Sequence, residues 1–136
     1  MAVATRERPV RAVVIDDASD IRELLTMVLT RSGMDVVGEA GDGQAGVEVV
    51  RAQRPDVVLL DLAMPVMDGV EALPIIRELV PDARIIVLSA FAGAVREQVL
   101  DWGADGYLEK GTPLRKIVAY VEATLEGRPP PGTMEA

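Results

Sequence analysis

The chain has 136 residues, 49% of them hydrophobic, which is about one domain's length with ample apolar content for a single closed core. Its 14 basic residues against 22 acidic ones leave a net charge of −8, and a domain this acidic is repelled by a phosphate backbone, so direct nucleic-acid binding by it is excluded. With no histidine and no cysteine there is no Ser–His–Asp triad, histidine metal site, phosphohistidine, disulfide or thiolate chemistry, and the lack of cysteine agrees with a cytoplasmic location.

Residues 1–9 carry Arg6 and Arg8 but no apolar run, so they read as an N-terminal extension and not as a secretory signal. The body of the domain is expected over 10–126. A first strand is predicted over 10–15, running into Asp16-Asp17. Ser19 is the candidate cap of a first helix, in which Ile21, Leu24, Leu25, Val28 and Leu29 recur on one face. A second strand follows over 35–40, and the Asp42-Gly43 turn opens a second helix. The third strand, 56–60, is nearly continuous in apolar residues and exits at Asp61. Beyond it Met64 and Met67 read as loop packing. Pro74 falls inside the third helical stretch, where its ring and missing N–H predict a helix that is broken, kinked or late in starting. The fourth strand, 84–88, is again apolar throughout and exits at Ser89. Trp102 reads as a half-buried packing residue at the end of a fourth helix, next to Val99 and Leu100.

The fifth strand, 105–108, leads to Lys110, and the Lys110–Gly111 bond is expected to be trans because no proline lowers the cost of cis. Thr112 is the expected cap of the last helix and Pro113 its first residue, with Leu114, Ile117, Val118, Val121 and Leu125 on one face. Residues 127–136 contain three consecutive prolines and read as a tail or linker. No apolar run reaches the roughly 18 residues of a membrane span. Alternating strands and helices call for a parallel sheet with right-handed crossovers, an α/β class.

Ligands in such sheets bind at the carboxyl ends of the strands, so the strand exits are the informative places. Asp16, Asp17, Asp61, Ser89 and Lys110 all stand there. Carboxylates brought this close repel one another unless a cation lies between them. An all-oxygen set without histidine or cysteine suits a hard ion, Mg²⁺ or Mn²⁺.

The segments Val13-Val14-Ile15-Asp16-Asp17, Leu59-Leu60-Asp61-Leu62-Ala63-Met64-Pro65 with Met67-Asp68-Gly69, Val87-Leu88-Ser89-Ala90 and Gly106-Tyr107-Leu108-Glu109-Lys110 resemble the receiver domain of two-component response regulators. The resemblance covers nearly the whole chain, about residues 11–125. It implies a flavodoxin-like doubly wound sheet of five parallel strands in the order 2-1-3-4-5, flanked by five helices. It also implies a phosphoacceptor switch, not an enzyme with its own substrate, that assists its own phosphorylation and dephosphorylation. By that resemblance Asp61 accepts a phosphoryl group from the phosphohistidine of a sensor kinase or phosphotransfer protein. Asp17, Asp61 and the backbone carbonyl of Ala63 hold Mg²⁺, and Asp16 reaches it through water. Ser89 hydrogen-bonds the phosphoryl group, Lys110 pairs with it, and the Tyr107 rotamer follows phosphorylation. Homodimerisation through the fourth helix, fifth strand and fifth helix is a further implication, with Phe91 as an apolar contact near that face; no membrane association is implied.

Two departures from the family pattern stand out. Ser89 replaces the commoner threonine and loses the β-branch that stiffens χ1. Lys110 is followed by glycine, and Lys-Gly-Thr-Pro resembles receivers that precede a LuxR-type helix-turn-helix. Three other functions fit these residues less well. A haloacid-dehalogenase-type hydrolase needs a second Asp where Ala63 stands. A nucleotide- or flavin-binding module needs a glycine-rich loop where Asp16-Asp17-Ala18-Ser19 stands. A pseudo-receiver that only binds a partner would have no use for the complete set of five.

Overall fold

The computed structural model describes residues 8–90 and 92–127. Ten elements alternate along the chain: β1 (Arg11–Ile15), α1 (Ser19–Arg31), β2 (Asp35–Ala40), α2 (Gly43–Gln53), β3 (Val57–Asp61), α3 (Gly69–Leu79), β4 (Arg84–Ser89), α4 (Ala92–Asp101), β5 (Gly106–Glu109) and α5 (Leu114–Leu125). The strands form one sheet in the order β2-β1-β3-β4-β5, and every pairing is parallel. Residues 1–7 and 128–136, and with them most of the N-terminal extension and of the proline-rich tail, lie outside the described residues, as does Phe91.

The central strands are apolar on both sides because both faces of the sheet are covered. Alternation along β3 sends Val58 and Leu60 to one core and Val57 and Leu59 to the other. The first core is closed by Val47 and Val50 of α2, Ala72, Leu73 and Ile76 of α3, and Val99 of α4. The second is closed by Leu25 and Leu29 of α1 and by Ile117, Tyr120 and Val121 of α5. Leu24, expected on the buried face of α1, is instead 42% exposed; it stands at the margin of that face, beside an apolar groove that Ile21, Lys110 and Leu114 also line. Trp102, expected to be half-buried, is likewise exposed, at 39%, just past the end of α4.

Two cap expectations are overturned, and at Pro74 the helix is neither broken nor late in starting. The N-cap of α1 is Ala18, with no side-chain cap bond, and Ser19 is already helical; the carboxylate of Asp16 accepts from the Ala18 N–H at 2.9 Å. At α5 the cap is Pro113, extended at ψ 141, because the Thr112 hydroxyl donates to the Glu109 carbonyl at 2.7 Å and closes the turn from β5. α3 runs unbroken from Gly69 to Leu79 with Pro74 inside it. Pro74 lies on the exposed side, so the carbonyl it leaves without a donor belongs to Val70, itself 37% exposed and open to water. The buried Ala72, Leu73 and Ile76 hold the helix on its other side. The remaining turns agree with the sequence. Asp42 caps α2 by accepting from Ala45 N at 2.8 Å, and among the described residues every peptide bond is trans, Lys110–Gly111 included.

Candidate functional site

Parallel pairing in register aligns the carboxyl ends of the strands, so Asp16, Asp61, Ser89 and Lys110 meet at one edge of the sheet without any long loop to bring them there. Ile15 of β1 pairs with Leu60 of β3, and Asp61 then pairs with Leu88 of β4. Lys110 N donates to the Ser89 carbonyl at 3.0 Å, which ties the exit of β5 to that of β4. Carboxylate oxygens of Asp16, Asp17 and Asp61 lie within 4.8 Å of one another. Asp16, Asp61 and Ser89 are buried, whereas Asp17 is exposed at the mouth.

Lys110 reaches into this cluster from the side. Its Nζ lies 3.1 Å from Asp61 Oδ2 and 3.1 Å from Asp16 Oδ2, and donates a longer bond of 3.4 Å to Asp16 Oδ1. The two Oδ2 atoms are buried and stand at ion-pair distance, but neither accepts a hydrogen bond of proper direction. One ammonium therefore faces two buried carboxylates with Asp17 a few ångströms away. Burial and the charge of Asp16 hold the Asp61 carboxyl above its ordinary 3.8, against the opposing pull of Lys110 and of the Ala63 N–H, which donates to Asp61 Oδ1 at 3.3 Å. For Lys110, burial disfavours the charged form, but its close contacts with Asp16 and Asp61 and their charges outweigh that and raise its pKa. The residues fit a hard divalent cation: three oxygen donors converge, two of them with buried oxygens left short of partners, and the local charge is negative in excess.

The loop after β3 is shaped by contacts that sequence reasoning gave no role. A Cβ on Gly69 would lie 2.1 Å from the Asp61 carbonyl, so only glycine lets α3 start against the end of β3. Gly43 N donates to the Met67 carbonyl at 2.7 Å, and Asp68 caps α3 by accepting from Glu71 N at 2.9 Å. Between these anchors Val66 is held at φ +67 with the residue 77% exposed, a strained conformation for a β-branched residue. Met64 and Met67 pack against the first core, as expected for loop packing.

Tyr107 sits on the edge strand β5, packed on the first core, with the Arg96 guanidinium carbon 5.3 Å from its ring centroid. Its N–H donates to the Tyr120 hydroxyl at 3.0 Å. Tyr120, absent from the predicted core face of the last helix, is almost wholly buried and passes under Gly106, where a Cβ would meet its hydroxyl at 2.6 Å. A glycine opening a short strand and a lone aromatic in the last helix were the available signals, but their pairing is a tertiary fact.

Residues 12–122 match the family described as response regulator receiver domain. The chain is 40% identical over 121 residues to a probable transcriptional regulatory protein NarL of Mycobacterium tuberculosis, covering 88% of this chain and 56% of that protein, so it spans little more than half of the relative's length. Among solved structures, the signal receiver domain of the putative response regulator NarL from M. tuberculosis superposes with a TM-score of 0.82 at 38% identity, over 89% of this chain and 99% of that one. A LuxR-family two-component response regulator from Aurantimonas sp. SI85-9A1 gives a TM-score of 0.84 at 30% identity, over 93% and 94%. The subgroup suggested by Lys-Gly-Thr-Pro is therefore represented among the neighbours. With strand order, site geometry and sequence in agreement, this chain belongs to the receiver-domain family of response regulators.

Proposed function

We propose that Asp61 is the phosphoacceptor of this receiver, and that its side chain takes a phosphoryl group from the phosphohistidine of a partner kinase or phosphotransfer protein. The observation that carries this reading is the buried carboxylate of Asp61 at the exit of β3, with Lys110 Nζ 3.1 Å away and Asp16 and Asp17 beside it. In the transfer a carboxylate oxygen of Asp61 forms a bond to phosphorus while the bond from phosphorus to the donor breaks, and the donor leaves with that electron pair. In this reading Lys110 neutralises charge on the phosphoryl oxygens, and the Ser89 hydroxyl donates to one of them. Receiver domains bind Mg²⁺ at an acidic site and interact with histidine kinases or phosphotransfer proteins. Here Mg²⁺ or Mn²⁺ would be held by Asp17, Asp61 and the Ala63 carbonyl, with Asp16 reaching it through water, and would supply the positive charge that lets an anionic nucleophile meet an anionic donor.

The output we assign to this switch runs through Ser89 and Tyr107. Movement of the Ser89 hydroxyl toward the phosphoryl group opens room for the Tyr107 ring to turn inward, and the change is read on the face formed by α4, β5 and α5, where a second receiver docks. Among the described residues no helix is long and apolar enough to cross a membrane.

Incubation with acetyl phosphate and MgCl₂, followed by intact-mass spectrometry, tests the reading. Wild type should gain one phosphoryl group. Asp61→Asn should gain none, and Asp17→Asn should lose the Mg²⁺-dependent reaction while keeping its fold. Phosphorylation of Asp61→Asn at the wild-type level would refute the assignment, and an unmodified wild type would leave a partner-binding pseudo-receiver.

A further inference from the structure

We propose that Arg22 is a positioning residue for the metal site: it locks the peptide plane between Asp16 and Asp17 and thereby aims the Asp17 carboxylate. This rests on the reading of Asp17 as a metal ligand. Asp17 is exposed at the mouth of the site, so its orientation depends chiefly on the backbone that carries it. The Arg22 guanidinium donates through Nη1 to the backbone carbonyl of Asp16 at 2.5 Å. That carbonyl shares a rigid plane with the N–H of Asp17, so a bond to it sets the start of the Asp17 residue directly.

The same short stretch is fixed at its other points. Asp16 N donates to the Ala40 carbonyl at 3.0 Å, and Asp16 Oδ1 accepts from Ala18 N at 2.9 Å. Rotation of the Asp16–Asp17 plane is the freedom left over, and Arg22 removes it. Arg22 is itself aimed from a second strand: its Nε donates to Glu39 Oε1 at 3.2 Å, with the two side chains 22% and 41% exposed. A planar fork suits this two-point hold, and a lysine ammonium cannot reproduce it.

The sign of the effect separates positioning from plain electrostatics. As a bare positive charge near the acidic cluster, Arg22 would repel Mg²⁺, and its removal would tighten binding. As a positioning residue it strengthens binding, because groups that orient metal ligands are worth about tenfold or more in metal affinity. Calorimetric titration of the whole chain with MgCl₂, alongside metal-free melting curves, reads this out. Arg22→Ala should weaken Mg²⁺ binding about tenfold, Arg22→Lys nearly as much despite its retained charge, and Glu39→Gln by a smaller factor. The Asp17 amide signal should shift in Arg22→Ala before any metal is added. Equal or tighter Mg²⁺ binding by Arg22→Ala, or full affinity in Arg22→Lys, overturns the proposal. If wild type and Asp17→Asn bind Mg²⁺ alike, the metal reading itself fails and this inference falls with it.

Discussion

Two charged constellations sit at opposite ends of the same sheet, and they are built to opposite rules. At the amino ends of β4 and β5, Asp105 is one carboxylate among several donors. Its Oδ2 accepts from Arg77 Nη1 at 3.0 Å and from Ile85 N at 2.8 Å, and Arg84 lies 3.7 Å from its Oδ1. Arg77 in turn donates to the carbonyls of Gly103, Val80, Pro81 and Ala83, gathering the ends of α3 and α4 and the turn into β4. At the carboxyl ends the balance is reversed. One ammonium, Lys110, faces the buried carboxylates of Asp16 and Asp61 with Asp17 beside them, and two buried oxygens remain without a directed hydrogen bond. A half-buried charge is thus no mark of function by itself. The mark is a cluster of buried carboxylates whose cationic partners are too few, an arrangement that favours binding of a further cation.

The largest effect should come from breaking the satisfied end. Arg77→Ala removes one guanidinium from several carbonyls and from Asp105, and should cost about 3 kcal/mol of stability in urea unfolding. Mg²⁺ affinity in this variant should stay at the wild-type level, since the two ends share no group; a parallel loss of both would mean that the ends are coupled.

Breaking the unsatisfied end should do the reverse. Asp61→Asn removes one of the mutually repelling carboxylates and should stabilise the metal-free domain by about 1 kcal/mol. The pH dependence sharpens this. Asp61 holds its proton more tightly when folded than when unfolded, so the folded state binds more protons. Its contribution to stability is full below the ordinary 3.8 and is lost as pH rises through the higher folded value. Urea midpoints of metal-free wild type should fall over that window, and Asp61→Asn should lack this component. Mg²⁺ added near neutral pH should raise the melting temperature of wild type by binding only the folded state, and should raise that of Asp61→Asn less. If the variant is less stable than wild type without metal, the site is not under the repulsion described.

The smallest effect should be local. Val66 is held in a left-handed conformation at the rim of the site while most of the residue faces water. Val66→Gly removes that strain at the cost of a looser unfolded chain, for a net gain of about 0.5 kcal/mol. A loss of stability would mean that the Val66 side chain makes contacts worth more than its strain.

Much of this was legible in the residues. Continuous apolar runs at Val57–Leu60 and Ile85–Leu88 announce strands covered on both faces, and parallel pairing then carries Asp16, Asp61, Ser89 and Lys110 to one edge without further information. Periodicity of 2 or 3.6 is a local property, so a chain can display its elements and strand exits in one dimension. Which group answers which is not local. The caps moved by one residue at Ser19 and Thr112 because the Asp16 carboxylate and the Glu109 carbonyl provided other partners. Pro74 was tolerated because it came to lie on the wet side of α3. Tyr120 under Gly106, Gly69 against the Asp61 carbonyl and Arg22 on the Asp16 carbonyl join groups from different elements, with separations and directions set only once the helices pack. The sequence by itself determined the element order, the sheet class and the acidic set; the tertiary structure decided which of those carboxylates are buried, how few partners they have, and what holds the exposed one in place.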